Sequence, residues 1–127
     1  MAKISWDKVK RLREELNSAQ IVESDTTITL TTKQMFNQYV NMTAAGGVSL
    51  PGVTGANGWN IIVYTTSGAT IYVDPDANDK FVLDGTTLSD GERIKSRGSL
   101  ENKVQLLNDS ADGWSVWSGA TPLWIAD

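Results

Sequence analysis

The sequence predicts an all-β domain: a β-sandwich or jelly-roll-like body carrying a short N-terminal helix and arm. Three observations lead there. Thr, Ser, Gly and Asn contribute 13, 11, 11 and 8 of the 127 residues, a composition weighted toward turns and toward β-branched Thr. From Trp59 onward, short alternating runs are separated by Gly, Asp, Asn or Pro at intervals of roughly eight to twelve residues, the rhythm of sandwiches and small barrels. Helical spacing of apolar residues is confined to the first 18 positions and to one short turn after Thr32. A 13.8 kDa chain fits a single domain and buries roughly 67% of its unfolded surface, enough for one core.

Ser5 is an N-cap candidate, Asp7 sits in the first turn, and Ile4 and Val9 hold the positions of a hydrophobic staple. Trp6, Val9, Leu12 and Leu16 then form one apolar stripe, with Lys8, Lys10, Arg11, Glu14 and Glu15 on the remaining surface. Twelve residues are marginal for a free helix in water. The stripe is therefore expected to dock on its own domain, a sister subunit or another protein. Residues 1–30 read as this helix and an anchoring arm, and residues 31–127 as the sandwich.

After Ala19 the pattern changes to β, and Thr26-Thr27-Ile28-Thr29-Leu30 alternates with period two. Thr32 is expected to cap a short helical turn running through Met35, Phe36, Tyr39 and Val40. Val48 and Leu50 alternate into Pro51. Residues 51–58, with three glycines and a proline, form a loop. Strands are then expected near residues 59–65, 69–73, 80–83, 86–88, 92–95, 103–107, 114–117 and 123–125. No repeat at a fixed period is strong enough to indicate a solenoid.

The chain contains neither His nor Cys. No Ser-His-Asp or Cys-His nucleophile system can be built from it. Cys/His sites for zinc, haem or iron–sulfur clusters are excluded, and so is a disulfide. Charge is mildly asymmetric. Five cations (Lys3, Lys8, Lys10, Arg11, Arg13) meet three anions in residues 1–16, whereas six carboxylates (Asp74, Asp76, Asp79, Asp84, Asp90, Glu92) face Lys80 alone in residues 74–92. The net charge of −4 argues against nucleic acid as a partner, which needs a concentrated basic face. No apolar run approaches the ~20 residues of a membrane span. The N-terminus lacks the apolar core of a secretory signal, so synthesis in a cytoplasm without export by that route is expected.

Four motifs have bland readings. Trp114-Ser115-Val116-Trp117-Ser118 matches the W-S-x-W-S box of cytokine-receptor ectodomains, but those are far longer, disulfide-bearing modules. Asp74-Pro75-Asp76-Ala77-Asn78-Asp79 begins like an EF-hand loop. It then has Asp79 where Gly is required and Gly85 where Glu is required, so a strand connection is expected, with an irregular calcium site as the alternative. The carboxylates lie at turn positions, where Asp bonds local backbone, and no enzyme is inferred from them. Asn41-Met42-Thr43 and Asn108-Asp109-Ser110 are glycosylation sequons without an export signal to make them meaningful.

Of the five tryptophans, Trp114 and Trp117 are three apart and face opposite sides of a regular strand. Trp59, Trp117 and Trp124 are candidate subunit-interface or surface aromatics, since Trp anchors such contacts. An exposed Trp could also form a platform for a glycan.

Over residues 31–124 the chain resembles a family of small tailed-phage virion modules found as capsid decoration, head-fibre and tail-fibre domains. The matching features occur in order. They are Thr32-Lys33-Gln34-Met35-Phe36, the small-residue patch Ala44-Ala45-Gly46-Gly47, Val48-Ser49-Leu50-Pro51, and Gly58-Trp59-Asn60-Ile61-Ile62-Val63. Then follow Ile71-Tyr72-Val73-Asp74-Pro75 with Asp79, the stretch from Leu83 to Ile94, Val104-Gln105-Leu106-Leu107, and Gly113-Trp114-Ser115-Val116. Thr121-Pro122-Leu123-Trp124 stands where the family more often ends Gly-Thr-Trp. The resemblance implies a homotrimeric β-sandwich without enzymatic activity or cofactor. It implies a virion protein, made in the host cytoplasm, that contacts the major capsid protein or another virion protein. A capsid decoration role is the first expectation, and a head- or tail-fibre module binding host-surface glycan is the alternative.

Overall fold

The computed structural model describes residues 20–97, 102–118 and 124–127. The predicted helix with Trp6, Val9, Leu12 and Leu16 lies outside the described residues. Twelve strands are present among them: β1 (Gln20–Ser24), β2 (Ile28–Thr29), β3 (Gln38–Met42), β4 (Gly46–Ser49), β5 (Asn60–Thr65), β6 (Ile71–Asp74), β7 (Lys80–Leu83), β8 (Thr86–Thr87), β9 (Ile94–Ser96), β10 (Asn102–Ser110), β11 (Gly113–Trp117) and β12 (Trp124–Ala126). They form a seven-stranded sheet I, in the order β1-β3-β5-β10-β11-β7-β8, and a five-stranded sheet II, in the order β12-β9-β6-β4-β2. The all-β, sandwich-like class read from the sequence holds.

The first half of the chain is wound, not folded into hairpins. Strands β1 to β6 alternate between sheet I and sheet II, and within each sheet successive strands pair in parallel. Each excursion into the opposite sheet serves as the crossover that a parallel pair requires. Gln20 lies beside Gln38, and Gln38 beside Ile61; in sheet II, Ile28 lies beside Val48, and Val48 beside Val73. The coils differ in length, so this winding leaves no fixed period in the sequence. It also moves a boundary. Residues 20–30, read as part of an anchoring arm, supply β1 and β2 and belong to the sandwich.

Sheet I carries a rank of valines across four strands, Val22–Val40–Val63–Val104. Val40, Val63 and Val104 are fully buried. β-Branched cross-strand neighbours stabilise a pleated surface, and each buried Val is worth ~1.5–3 kcal/mol. That exceeds the ~0–1 kcal/mol of an exposed ion pair, so apolar burial and not surface charge holds the sheets together. Sheet II answers with Ile28, Val48, Val73 and Ile94 in one row. Leu30, Met35, Phe81, Trp114 and Trp124 complete a single core cluster.

The expected helical turn is reduced to a 3-10 turn, Thr32–Gln34. Gln34 Oε1 accepts from the Thr31 N–H at 2.9 Å. Asn37 then adopts φ 49°, which a continuing helix forbids, and donates its N–H to Asn60 Oδ1. Tyr39 and Val40 consequently extend as β3. The two-residue hairpin Asp84-Gly85 between β7 and β8 has φ 48° and 91°, the signature of a type I′ turn. The Asp84 carboxylate accepts from both the N–H and the hydroxyl of Ser118, tying that hairpin to the end of β11. At Gly113 a Cβ would stand 2.0 Å from the Lys80 carbonyl oxygen, so only Gly permits β11 to lie beside β7 here.

Asn108 is fully buried at the bulge of the β10–β11 hairpin. Its Nδ2 donates to the Ser110 and Gly113 carbonyls at 2.8 and 2.7 Å, and its Oδ1 accepts from the Asn57 N–H at 2.8 Å. Its backbone bonds Trp59 and Gly58. The sequon asparagine is thus a structural knot between this hairpin and the 51–58 loop. Asp at this position retains the acceptor and loses both donors. Each buried group left without a partner costs ~1–3 kcal/mol, so Asn108→Asp is expected to destabilise the protein by at least about 2 kcal/mol, read from urea unfolding at neutral pH.

Candidate functional site

Side chains alternate across sheet I, and those facing away from sheet II make an unusual surface. One row across five strands reads Ile21, Tyr39, Ile62, Gln105, Trp117. The next row reads Glu23, Asn41, Tyr64, Lys103. Ile21 is 61% exposed and Trp117 47%. Tyr39, Ile62 and Tyr64 are half-buried between them. Ile21, Tyr39, Ile62, Tyr64 and Lys103 line a shallow recess of about 360 Å³. A second recess of about 310 Å³ lies beside it toward Asn37, Asn60 and Gln105. Aromatic and aliphatic groups lying side by side on a solvent face make this the candidate interaction surface.

The outer face of sheet II differs. Gly47, Tyr72, Lys95 and Ile125 share a row there. A Cβ on Gly47 would sit 2.1 Å from the Tyr72 ring, so the glycine lets that ring lie flat on the sheet. The Arg93 guanidinium stacks over the same ring at 4.3 Å. Arg93 and Lys95 both pair with Asp127, which also donates its backbone N–H to the Arg93 carbonyl. Hydrogen bonds from Lys95 and Arg93 hold the Asp127 carboxyl below the usual carboxylate range. On this face Arg93, Lys95 and Asp127 satisfy one another's charge, and Arg93 covers the half-buried Tyr72 ring.

The structure separates the tryptophans picked from the sequence. Trp117 is exposed on the outer face of sheet I, while Trp114 on the same strand is 2% exposed and points into the core. Trp59 and Trp124, expected as surface or interface aromatics, are instead 8% and 1% exposed. Trp59 packs against Trp114 with ring centroids 6.2 Å apart, and Trp124 lies beside the buried Ser96 in sheet II. The Trp59 and Trp124 rings both belong to the core cluster, packed with its Leu, Ile and Val side chains. Sequence reasoning did not select Ile21, Tyr39, Ile62 and Tyr64. The available signal was residues 60–65, Asn-Ile-Ile-Val-Tyr-Thr, where apolar residues occupy both faces of one strand.

The segment Asp74 to Asp79 forms a turn. The Asp79 N–H donates to the Asp76 carbonyl, and the Asn78 N–H to Asp76 Oδ1. Asp79 is 5% exposed and accepts the Val53 N–H at 2.9 Å, pinning the 51–58 loop. Among the described residues no three acidic side chains are grouped to hold a metal ion. Burial raises the Asp79 carboxyl above its ordinary range. The Val53 hydrogen bond opposes that shift, and the nearby charges of Asp76 and Asp90 add to it.

A carboxyl raised in the folded state stabilises the fold below its unfolded pKa of ~3.9, and that contribution is lost as pH rises through the raised value. Asp79→Asn keeps an acceptor for Val53 and removes the charge. Melting temperatures between pH 4 and 7 are expected to fall less with rising pH in this variant than in the wild type; parallel curves would contradict the assignment.

No family model, curated protein or solved structure matches the chain. The functional reading therefore rests on this surface and on the sequence resemblance.

Proposed function

We propose that the protein is a non-enzymatic structural component of a tailed-phage virion, a capsid decoration protein that trimerises on the shell. The observation that carries this reading is the outer face of sheet I, where Ile21, Tyr39, Ile62, Tyr64 and Trp117 offer apolar contact area to another macromolecule. The ordered likeness of residues 31–124 to phage virion modules supports the same reading. In it, the amphipathic stripe of Trp6, Val9, Leu12 and Leu16 anchors each subunit on the major capsid protein or a neighbouring virion protein, and the sandwich forms the projecting body.

A second reading has its own observation. Trp117 is exposed beside Gln105 on the same row, and an exposed ring flanked by an amide suits stacking on a sugar. In that case the chain is a head- or tail-fibre module for host-surface glycan.

Binding of the purified protein to capsids lacking it separates the two. Decoration predicts saturable binding, visible as added density on the shell by cryo-electron microscopy. That binding should be lost in the Leu12→Asp/Leu16→Asp variant and be insensitive to added host-surface glycan. Glycan-array binding that disappears in Trp117→Ala, with no capsid density, would replace the first reading by the second.

A further inference from the structure

The two outer rows of sheet I have opposite characters at their two ends. Along one, Glu23 on β1 and Lys103 on β10 stand at the same height, with Asn41 and Tyr64 between them. Three strand spacings separate them, about 14 Å, too far to pair within the chain. Both are exposed, and among the described residues neither joins an ion pair, whereas Lys80 pairs with Asp90, and Arg93 and Lys95 with Asp127. Along the other row, Ile21 on β1 and Trp117 on β11 are the exposed hydrophobics at opposite ends.

A rotation axis that runs along the strands, in front of this face, preserves height along the strands. It brings the β1 side of one copy against the β10–β11 side of the next. An acid then meets a base and an aliphatic side chain meets an indole, both in register, while Tyr39, Ile62 and Tyr64 turn toward the axis. The face is complementary to itself, which is what closed cyclic association requires.

We propose that the occupant of this face is a second copy of the chain, and that three copies close around such an axis. Glu23 of each copy pairs with Lys103 of the partner subunit, and Ile21 covers Trp117 of the partner subunit. The proposal rests on the trimeric part of the functional reading and assigns the surface and the contacts that build the trimer.

The test is a charge exchange in the full chain, read by sedimentation equilibrium and light scattering at low and high salt. The wild type is expected to be a trimer at tens of micromolar. Glu23→Lys and Lys103→Glu should each weaken association by about tenfold or more, ~1.4 kcal/mol, with unchanged circular dichroism because both sites are exposed. The double exchange should restore the trimer. A wild-type trimer that both single variants leave intact, or that the double variant fails to rescue, overturns the assignment of this face and leaves trimerisation standing. A monomeric wild type overturns the face and the trimer together, while capsid binding still decides the virion role.

Discussion

The fold depends on where β10 lies. This nine-residue strand pairs antiparallel with β5 on one side and β11 on the other. Without it, sheet I would separate into the parallel group β1-β3-β5 and the group β11-β7-β8. In sheet I the chain's early half is a parallel winding, while its later half supplies the β7–β8 and β10–β11 hairpins, joined by parallel pairing of β11 with β7, so β10 is the seam between two ways of building a sheet. Val104 and Leu106 continue the buried rows of β5 across that seam. Asn108 then turns the strand's far end into the hairpin while holding the 51–58 loop. With no cysteine in the chain, that seam is closed by backbone ladders, apolar rows and one buried amide.

This explains which features were legible in the sequence. Short strands bounded by turn residues are local, and Asp84-Gly85, the loop 51–58 and the alternation at Val104 and Leu106 announced themselves. Parallel winding is not local. Its partners are the same sheet's strand one coil later, and the coils differ in length, so neither spacing nor repeat reveals them. β3 was read as helical because Met35, Phe36, Tyr39 and Val40 fall at helical spacing. Asn37 decides otherwise through one left-handed residue. β1 was missed because as an edge strand it leaves Ile21 exposed and only half-buries Val22, giving a weak alternation.

The candidate site was legible only in part for a related reason. Trp117 stood out because its spacing from Trp114 places one of the two rings outward. Trp59 and Trp124 drew attention by residue type alone, yet ring size favours the interior of a small sandwich whenever a neighbouring ring or a small residue makes room. The face itself is assembled from β1, β3, β5, β10 and β11, and no two of the first three are hairpin partners. Its rows exist only after the winding is formed. A surface of this kind becomes visible through register, not through motif.

The edges of the sheets bear on how such a face is used. β8, β2 and β12 are two or three residues long, and short edges resist pairing with other chains. β1 has five residues and is the longest edge strand described. Heterologous pairing of it with the β8 edge of another copy would extend sheet I without limit and favour open polymers. Two features oppose that: Glu23 projects from the strand, and Ile21 lies on the sheet's face, not along its edge. In the arrangement we propose, the same two residues turn toward the β10–β11 side of the partner subunit. The strand that could propagate a polymer instead has its side chains committed to a closed ring, and closure rather than extension follows from the direction in which its apolar residue points.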